Sequence, residues 1–132
     1  TFILKNNIER DRISKQKYIY SDDIKDKNII IVDDSIVRGI TLKIFIEKLK
    51  KYNPKTIDIR ISSPPVKYPC YYGVDIPDTK DLIANGNNAD DIKSILNVDS
   101  VKYIDIKELS ILFPKDITCY GCFNSDYNLN DW

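Results

Sequence analysis

The sequence predicts an α/β fold built on a parallel sheet, and three observations carry that expectation. Asn28 to Val32 is a short β-branched run without polar alternation, the pattern of a strand buried on both faces of a parallel sheet. From Thr41 the apolar residues fall at Leu42, Phe45, Ile46 and Leu49, one face of a helix. Ile57, Ile59 and Ile61 then alternate with Asp58 and Arg60, which reads as a second strand. Strand, helix and strand within roughly thirty residues make a right-handed βαβ unit.

The remaining elements follow in order. Residues 1 to 27 are rich in charge, with one alternating patch, Lys17-Tyr18-Ile19-Tyr20, expected as an edge strand. The first helix is expected to end near Tyr52, where Lys48, Lys50 and Lys51 suit the dipole and Asn53-Pro54 stops it. Ser62-Ser63-Pro64-Pro65 closes the second strand, and "YPCYYGVDIP" reads as a loop packed on the domain. Asp78 is expected to cap a short helix through Ala84. Asn88 is expected to cap another with Ile92, Ile95 and Leu96 inward. Asp105-Ile106-Lys107-Glu108 has capping-box spacing and starts a helix to Phe113, which Pro114 ends before "CYGC". Two regions result: 1–75, a core with a loop after its first strand, and 76–132, a C-terminal helical segment with a C-x2-C pair.

Composition sets the outer bounds. The chain has 132 residues, 42% hydrophobic and 30% charged, the profile of one ordinary globular domain or a piece of a larger one. Twenty basic residues balance 20 acidic ones, so no net field recruits nucleic acid or an anionic membrane. No apolar run approaches a membrane span and no signal peptide is evident, so a cytoplasmic location is expected. Three cysteines are too few and too odd for a secreted disulfide framework. The absence of histidine removes Ser-His-Asp and Cys-His catalysis and histidine metal sites. The opening Thr1 suggests a fragment or processed product.

"IIIVDDSIVRGIT", residues 29 to 41, concentrates the chemistry. In an open parallel sheet, ligands bind beyond the carboxyl ends of the strands, where Asp33 and Asp34 stand. Ser35 to Gly39 would turn their backbone N–H groups toward the next helix's N-terminus, a nest suited to phosphate. Ser35 and Thr41 can add hydroxyl donors, and Gly39 permits close backbone approach. Two adjacent carboxylates become favourable when they accept vicinal hydroxyls or meet a cation of Mg²⁺ type. A phosphorylated ribose with a metal-bound pyrophosphate supplies all three features. The plainer alternative is a helix start flanked by two solvated aspartates. The string has neither Gly-x4-Gly-Lys nor G-x-G-x-x-G.

This string resembles the phosphoribosyl pyrophosphate (PRPP) motif of type I phosphoribosyltransferases, and more narrowly that of the glutamine PRPP amidotransferases. The resemblance continues through "RISSPPVKYPCYYGVDIP", "DLIA" and "CYGCFNSDY", and "TFI" at the start is similar to the end of that family's flexible catalytic loop. It implies a partial type I phosphoribosyltransferase-like parallel sheet with the C-terminal helical segment. It also implies ribose and Mg²⁺ contacts for Asp33 and Asp34, and a 5′-phosphate loop of Ser35, Ile36, Val37, Arg38, Gly39 and Thr41. In the family, ammonia from an upstream glutaminase domain displaces pyrophosphate from PRPP to give 5-phosphoribosylamine, the first step of purine synthesis. No residue of this chain is assigned as a covalent catalyst. Purine nucleotides as feedback inhibitors and a homo-oligomer are further implications. Ile40 stands where the family usually has threonine, and the glutaminase half and first transferase strands are expected upstream.

Cys70, Cys119 and Cys122 alone are compatible with small buried apolar residues, zinc or a redox pair. In one branch of the family, cysteines at these places ligate a 4Fe-4S cluster whose fourth cysteine lies further upstream, outside this chain. Ser125 stands where that family usually has glycine. Two other readings are a non-catalytic PRPP-binding regulatory module and a nucleobase salvage phosphoribosyltransferase. Neither gives the cysteine segments a purpose.

Overall fold

The computed structural model describes residues 22–75 and 78–127. The expected edge strand at 17–20 lies outside them. Strand β1 spans Asn28–Asp33, helix α1 Ile40–Lys50 and strand β2 Thr56–Ile61, so the βαβ unit forms where the hydrophobic periods switch. Helix α2 covers Ala89–Leu96 and strand β3 Ser100–Tyr103, followed by α3, Ile106–Leu112, and a single turn α4, Gly121–Asn124. The three strands form one parallel sheet in the order β1-β2-β3. Ile31 registers with Ile59, and Ile59 with Val101.

Both crossovers step the same way across the sheet. Right-handed connections in one direction put α1 and α2 on the same face. There Ile46, Ile59, Ile92 and Leu96 are fully buried, with Leu49 and Ile57 beside them. Burying each such side chain contributes about 1.5–3 kcal/mol relative to leaving it exposed.

The opposite face carries the first correction. β1 is not buried on both faces: Ile30 is 62% and Val32 73% exposed, while Ile29 and Ile31 pack on the core. The two residues share a face with Asp58 and Arg60 of β2 and Ser100 and Lys102 of β3, by register. No helix of the described residues covers it.

Other differences are local. The stretch 76–132 is not wholly helical, because β3 pairs with β2 and joins the sheet. Ile95, expected inward, is 42% exposed, whereas Ile92 and Leu96 are buried as expected. Asp78 precedes only a 3-10 turn, Thr79–Asp81, with no side-chain cap. Leu82, Ile83 and Ala84 continue it as buried chain rather than helix. Asn88 and Asp105 both close full capping boxes, on α2 and α3. No helix among the described residues is long and apolar enough to cross a membrane.

Candidate functional site

Asp33 ends β1 and Asp34 begins the turn beyond it, both exposed at the carboxyl edge of the sheet. Their carboxylates organise the turn. Asp34 N–H donates to Asp33 Oδ1 at 3.0 Å, and Ser35 N–H donates to Asp34 Oδ1 at 2.6 Å. The Ser35 hydroxyl also reaches Asp34 Oδ1, at 3.3 Å. These bonds use only the Oδ1 atom of each carboxylate, and both residues are exposed. Such hard oxygen donors suit Mg²⁺, which commonly binds one or two carboxylates and completes its shell with water and substrate phosphates.

The next residues form the cradle. Gly39 takes a left-handed φ of 74° as the N-cap of α1, and no side chain caps that helix. The first intrahelical bond runs from Lys43 N–H to Gly39 C=O, at 2.9 Å. The N–H groups of the first turn are therefore available to an anion, with the macrodipole of an eleven-residue helix behind them. Ile36 is buried beneath the turn at 2% exposure, and Thr41 is exposed on the first turn.

A separate segment supports this turn. Ile83 N–H donates to Val37 C=O at 2.9 Å. Arg38 Nη2 lies 3.9 Å from Asp81 Oδ2, and Arg38 Nε is buried without an acceptor. A methyl at Gly39 would stand 2.6 Å from Ile83 Cδ1, so loop and segment pack with no room for a side chain.

The turn that carries Cys119 and Cys122 packs against the loop after β2, which carries Cys70. Lys67 and Tyr68 N–H both donate to Cys122 C=O, at 2.9 and 3.1 Å. Tyr127 hydroxyl donates to Pro69 C=O at 2.5 Å, and its ring meets Tyr71 edge-on with centroids 4.7 Å apart. Gly121 accommodates the Tyr127 ring, which a Cβ there would meet at 2.2 Å. All three thiols are free. Burial pushes the Cys122 thiol up to about 11, aided by the neighbouring Cys70 and Cys119. Burial likewise raises the Tyr127 hydroxyl to about 12, with Tyr71 and the three cysteines adding to the shift. The bonds from Lys67 and Tyr68 to the Cys122 carbonyl set the C-x2-C turn beside the loop that carries Cys70. Among the described residues no three such side chains are arranged to hold a single metal ion. Tetrahedral thiolates around one ion with bonds near 2.3 Å would sit about 3.8 Å apart, closer than thiolates on separate irons of a cluster.

No family model matches the sequence. Among curated proteins, the amidophosphoribosyltransferase of Methanothermobacter thermautotrophicus is 38% identical over 130 residues, covering 96% of this chain and 27% of the relative. The human amidophosphoribosyltransferase is 41% identical over 110 residues, 83% of this chain and 21% of its own length. The solved glutamine PRPP amidotransferase of B. subtilis, in complex with ADP and GMP, superposes with a TM-score of 0.72 at 25% identity, over 96% of this chain and 30% of that one. The chain belongs to the amidophosphoribosyltransferase family. It corresponds to the C-terminal part of those proteins and spans about a quarter of the length of the curated relatives it matches. A second solved neighbour, described as the allosteric regulatory enzyme of purine biosynthesis, gives a TM-score of 0.73 at 27% identity over 97% of this chain and 29% of its own.

For an amidophosphoribosyltransferase segment, the division of the site is informative. Asp34 to Gly39 link the end of β1 to the start of α1, and the turn carrying Cys119 and Cys122 packs on the loop that carries Cys70, about fifty residues away in sequence. Asp81, Ile83 and Tyr127 went unassigned at the sequence level. "DLIA" and "CFNSDY" were visible as family-like strings, but their contacts with residues 37–39 and 69–71 depend on the fold.

Proposed function

We propose that this chain carries the PRPP site of an amidophosphoribosyltransferase that forms 5-phosphoribosylamine from PRPP and glutamine-derived ammonia. The observation that supports it most is the uncapped α1 N-terminus beside two exposed aspartates at the carboxyl edge of a parallel sheet. Backbone N–H groups from Ile36 to Gly39, with the Thr41 hydroxyl, would bind the 5′-phosphate. Asp33 and Asp34 would accept the ribose hydroxyls and hold Mg²⁺ against the pyrophosphate. Held there, Mg²⁺ would supply charge neutralisation for the pyrophosphate. The chain's residues would position the ribose for displacement of pyrophosphate by ammonia. Purine nucleotides are the fitting feedback ligands, since the B. subtilis neighbour carries ADP and GMP.

Cys70, Cys119 and Cys122 fit three ligands of a 4Fe-4S cluster, with the fourth cysteine outside this sequence. Soft thiolates without histidine suit it. Two backbone N–H groups already point at the sulfurs, Tyr72 to Cys70 and Gly121 to Cys119, each at 3.4 Å. Such bonds stabilise charge on cluster thiolates.

The test is steady-state kinetics of the full-length protein with PRPP and Mg²⁺. Asp33→Asn combined with Asp34→Asn should abolish turnover while circular dichroism stays native, because shape is kept and charge removed. Near-normal kcat/KM would overturn these roles. Iron and acid-labile sulfide after anaerobic purification check the cluster separately, and their absence would remove that assignment.

A further inference from the structure

We infer that Asp81 and Ile83 are positioning residues for the phosphate loop, and that Arg38 serves the loop as a strut rather than as a phosphate ligand. The inference rests on the PRPP reading for its ligand, but its geometry is independent of that reading. Three contacts of different kinds converge on three consecutive loop residues. Ile83 N–H holds Val37 C=O at 2.9 Å, Asp81 faces Arg38 at 3.9 Å, and the Ile83 side chain closes on the Cα of Gly39. The Val37 carbonyl bond matters because it fixes the peptide plane whose N–H, on Arg38, belongs to the cradle.

The brace is itself rigid. Leu82, Ile83 and Ala84 are 3%, 9% and 1% exposed, so the segment is anchored in the core on which α1 and α2 pack. Apart from Ile36, which is buried in the core, the described contacts that hold the middle of the loop come from this segment. Arg38 fits the strut role because its guanidinium is directed to a carboxylate and its Nε is buried with no acceptor. A phosphate approaching that guanidinium would also approach the Asp81 carboxylate. A phosphate in the nest would instead meet backbone N–H groups and the Thr41 hydroxyl. The ion pair is partly exposed, at 34% and 48%, so its share of the positioning is modest and the Ile83 contacts carry more.

The experiment uses the full-length protein in two arms. In the first, amide hydrogen exchange of residues 36–39 is followed without ligand. Asp81→Asn and Arg38→Gln should each speed exchange there about two- to fivefold, with β2 amides unchanged. In the second arm, PRPP kinetics should show KM raised by a similar factor for each variant, with a much smaller change in kcat. The double variant should cost no more than either single one, and Asp81→Glu should recover most of the loss. Unchanged exchange in 36–39 would overturn the brace. An Arg38→Gln loss of about a hundredfold or more in kcat/KM, alongside a silent Asp81→Asn, would identify Arg38 as a direct phosphate ligand and overturn the strut. If the wild-type protein takes no PRPP, the proposed function fails while the exchange arm still decides the brace.

Discussion

At the scale of single residues, two backbone conformations decide what substitutions the chain accepts. Gly39 sits at φ 74° with Ile83 Cδ1 where its Cβ would be. Gly39→Ala should therefore destabilise the fold by about 1–3 kcal/mol, from left-handed strain plus overlap. Ile83→Val removes the overlapping methyl, so the double variant should regain part of that loss in urea unfolding. Ser125 is the converse case. It holds φ 64° as the C-cap of α4, its N–H donating to Gly121 C=O at 2.8 Å. The family-like glycine relieves that strain, so Ser125→Gly should stabilise the protein by about 0.5–1 kcal/mol, read as a raised Tm. The sequence flagged Ser125 as a departure. Only the backbone dihedral gives the departure an energy.

At the scale of elements, caps were more legible than burial. Asn88 accepts N–H bonds from Asp90 and Asp91, and Asp91 returns one to the Asn88 N–H, so both ends of the box are closed. Asn88→Ala should cost about 1 kcal/mol, seen in thermal unfolding, and Asn88→Ser most of it regained. Capping is local chemistry over four residues, which a sequence displays directly. β3 was not anticipated because it is four residues long with one buried side chain, Val101. The β-branched and aromatic cluster Val98, Val101, Tyr103 and Ile104 was the available signal. What makes it a strand is pairing with β2, aided by Ser100, whose hydroxyl donates to Asp58 and accepts from Arg60 Nη1 at 2.9 Å. Ile95 went the other way. A helical apolar stripe was read as wholly inward, but the sheet beneath α2 covers only Ile92 and Leu96.

For the whole molecule, the cysteine cluster links the C-terminal turn to the loop after β2, and it gives the fold a pH dependence. The Cys122 thiol is raised from 9.0 to about 11, so the folded chain holds its proton more tightly than the unfolded one. That contribution is present below about pH 9 and is lost as pH rises through 11. Tyr127, in contact with the same group, and Tyr103 on β3 rise from 10.0 to about 12, with the same sign at higher pH. The metal-free protein should thus lose thermal stability between pH 9 and 11, and Cys122→Ala should flatten that limb; an equal slope in both proteins would contradict the assignment. The sequence by itself determined the βαβ unit, the caps at Asn88 and Asp105 and the polar turn after β1, because each is set by neighbours within a few residues. Tertiary structure alone decided that Ile30 and Val32 lie on an open face, that β3 completes the described sheet, and that residues 81–84 brace the turn. The physical reason is range. Periodicity and capping act along the chain, whereas burial, strand pairing and the support of a loop depend on which distant segment arrives beside it.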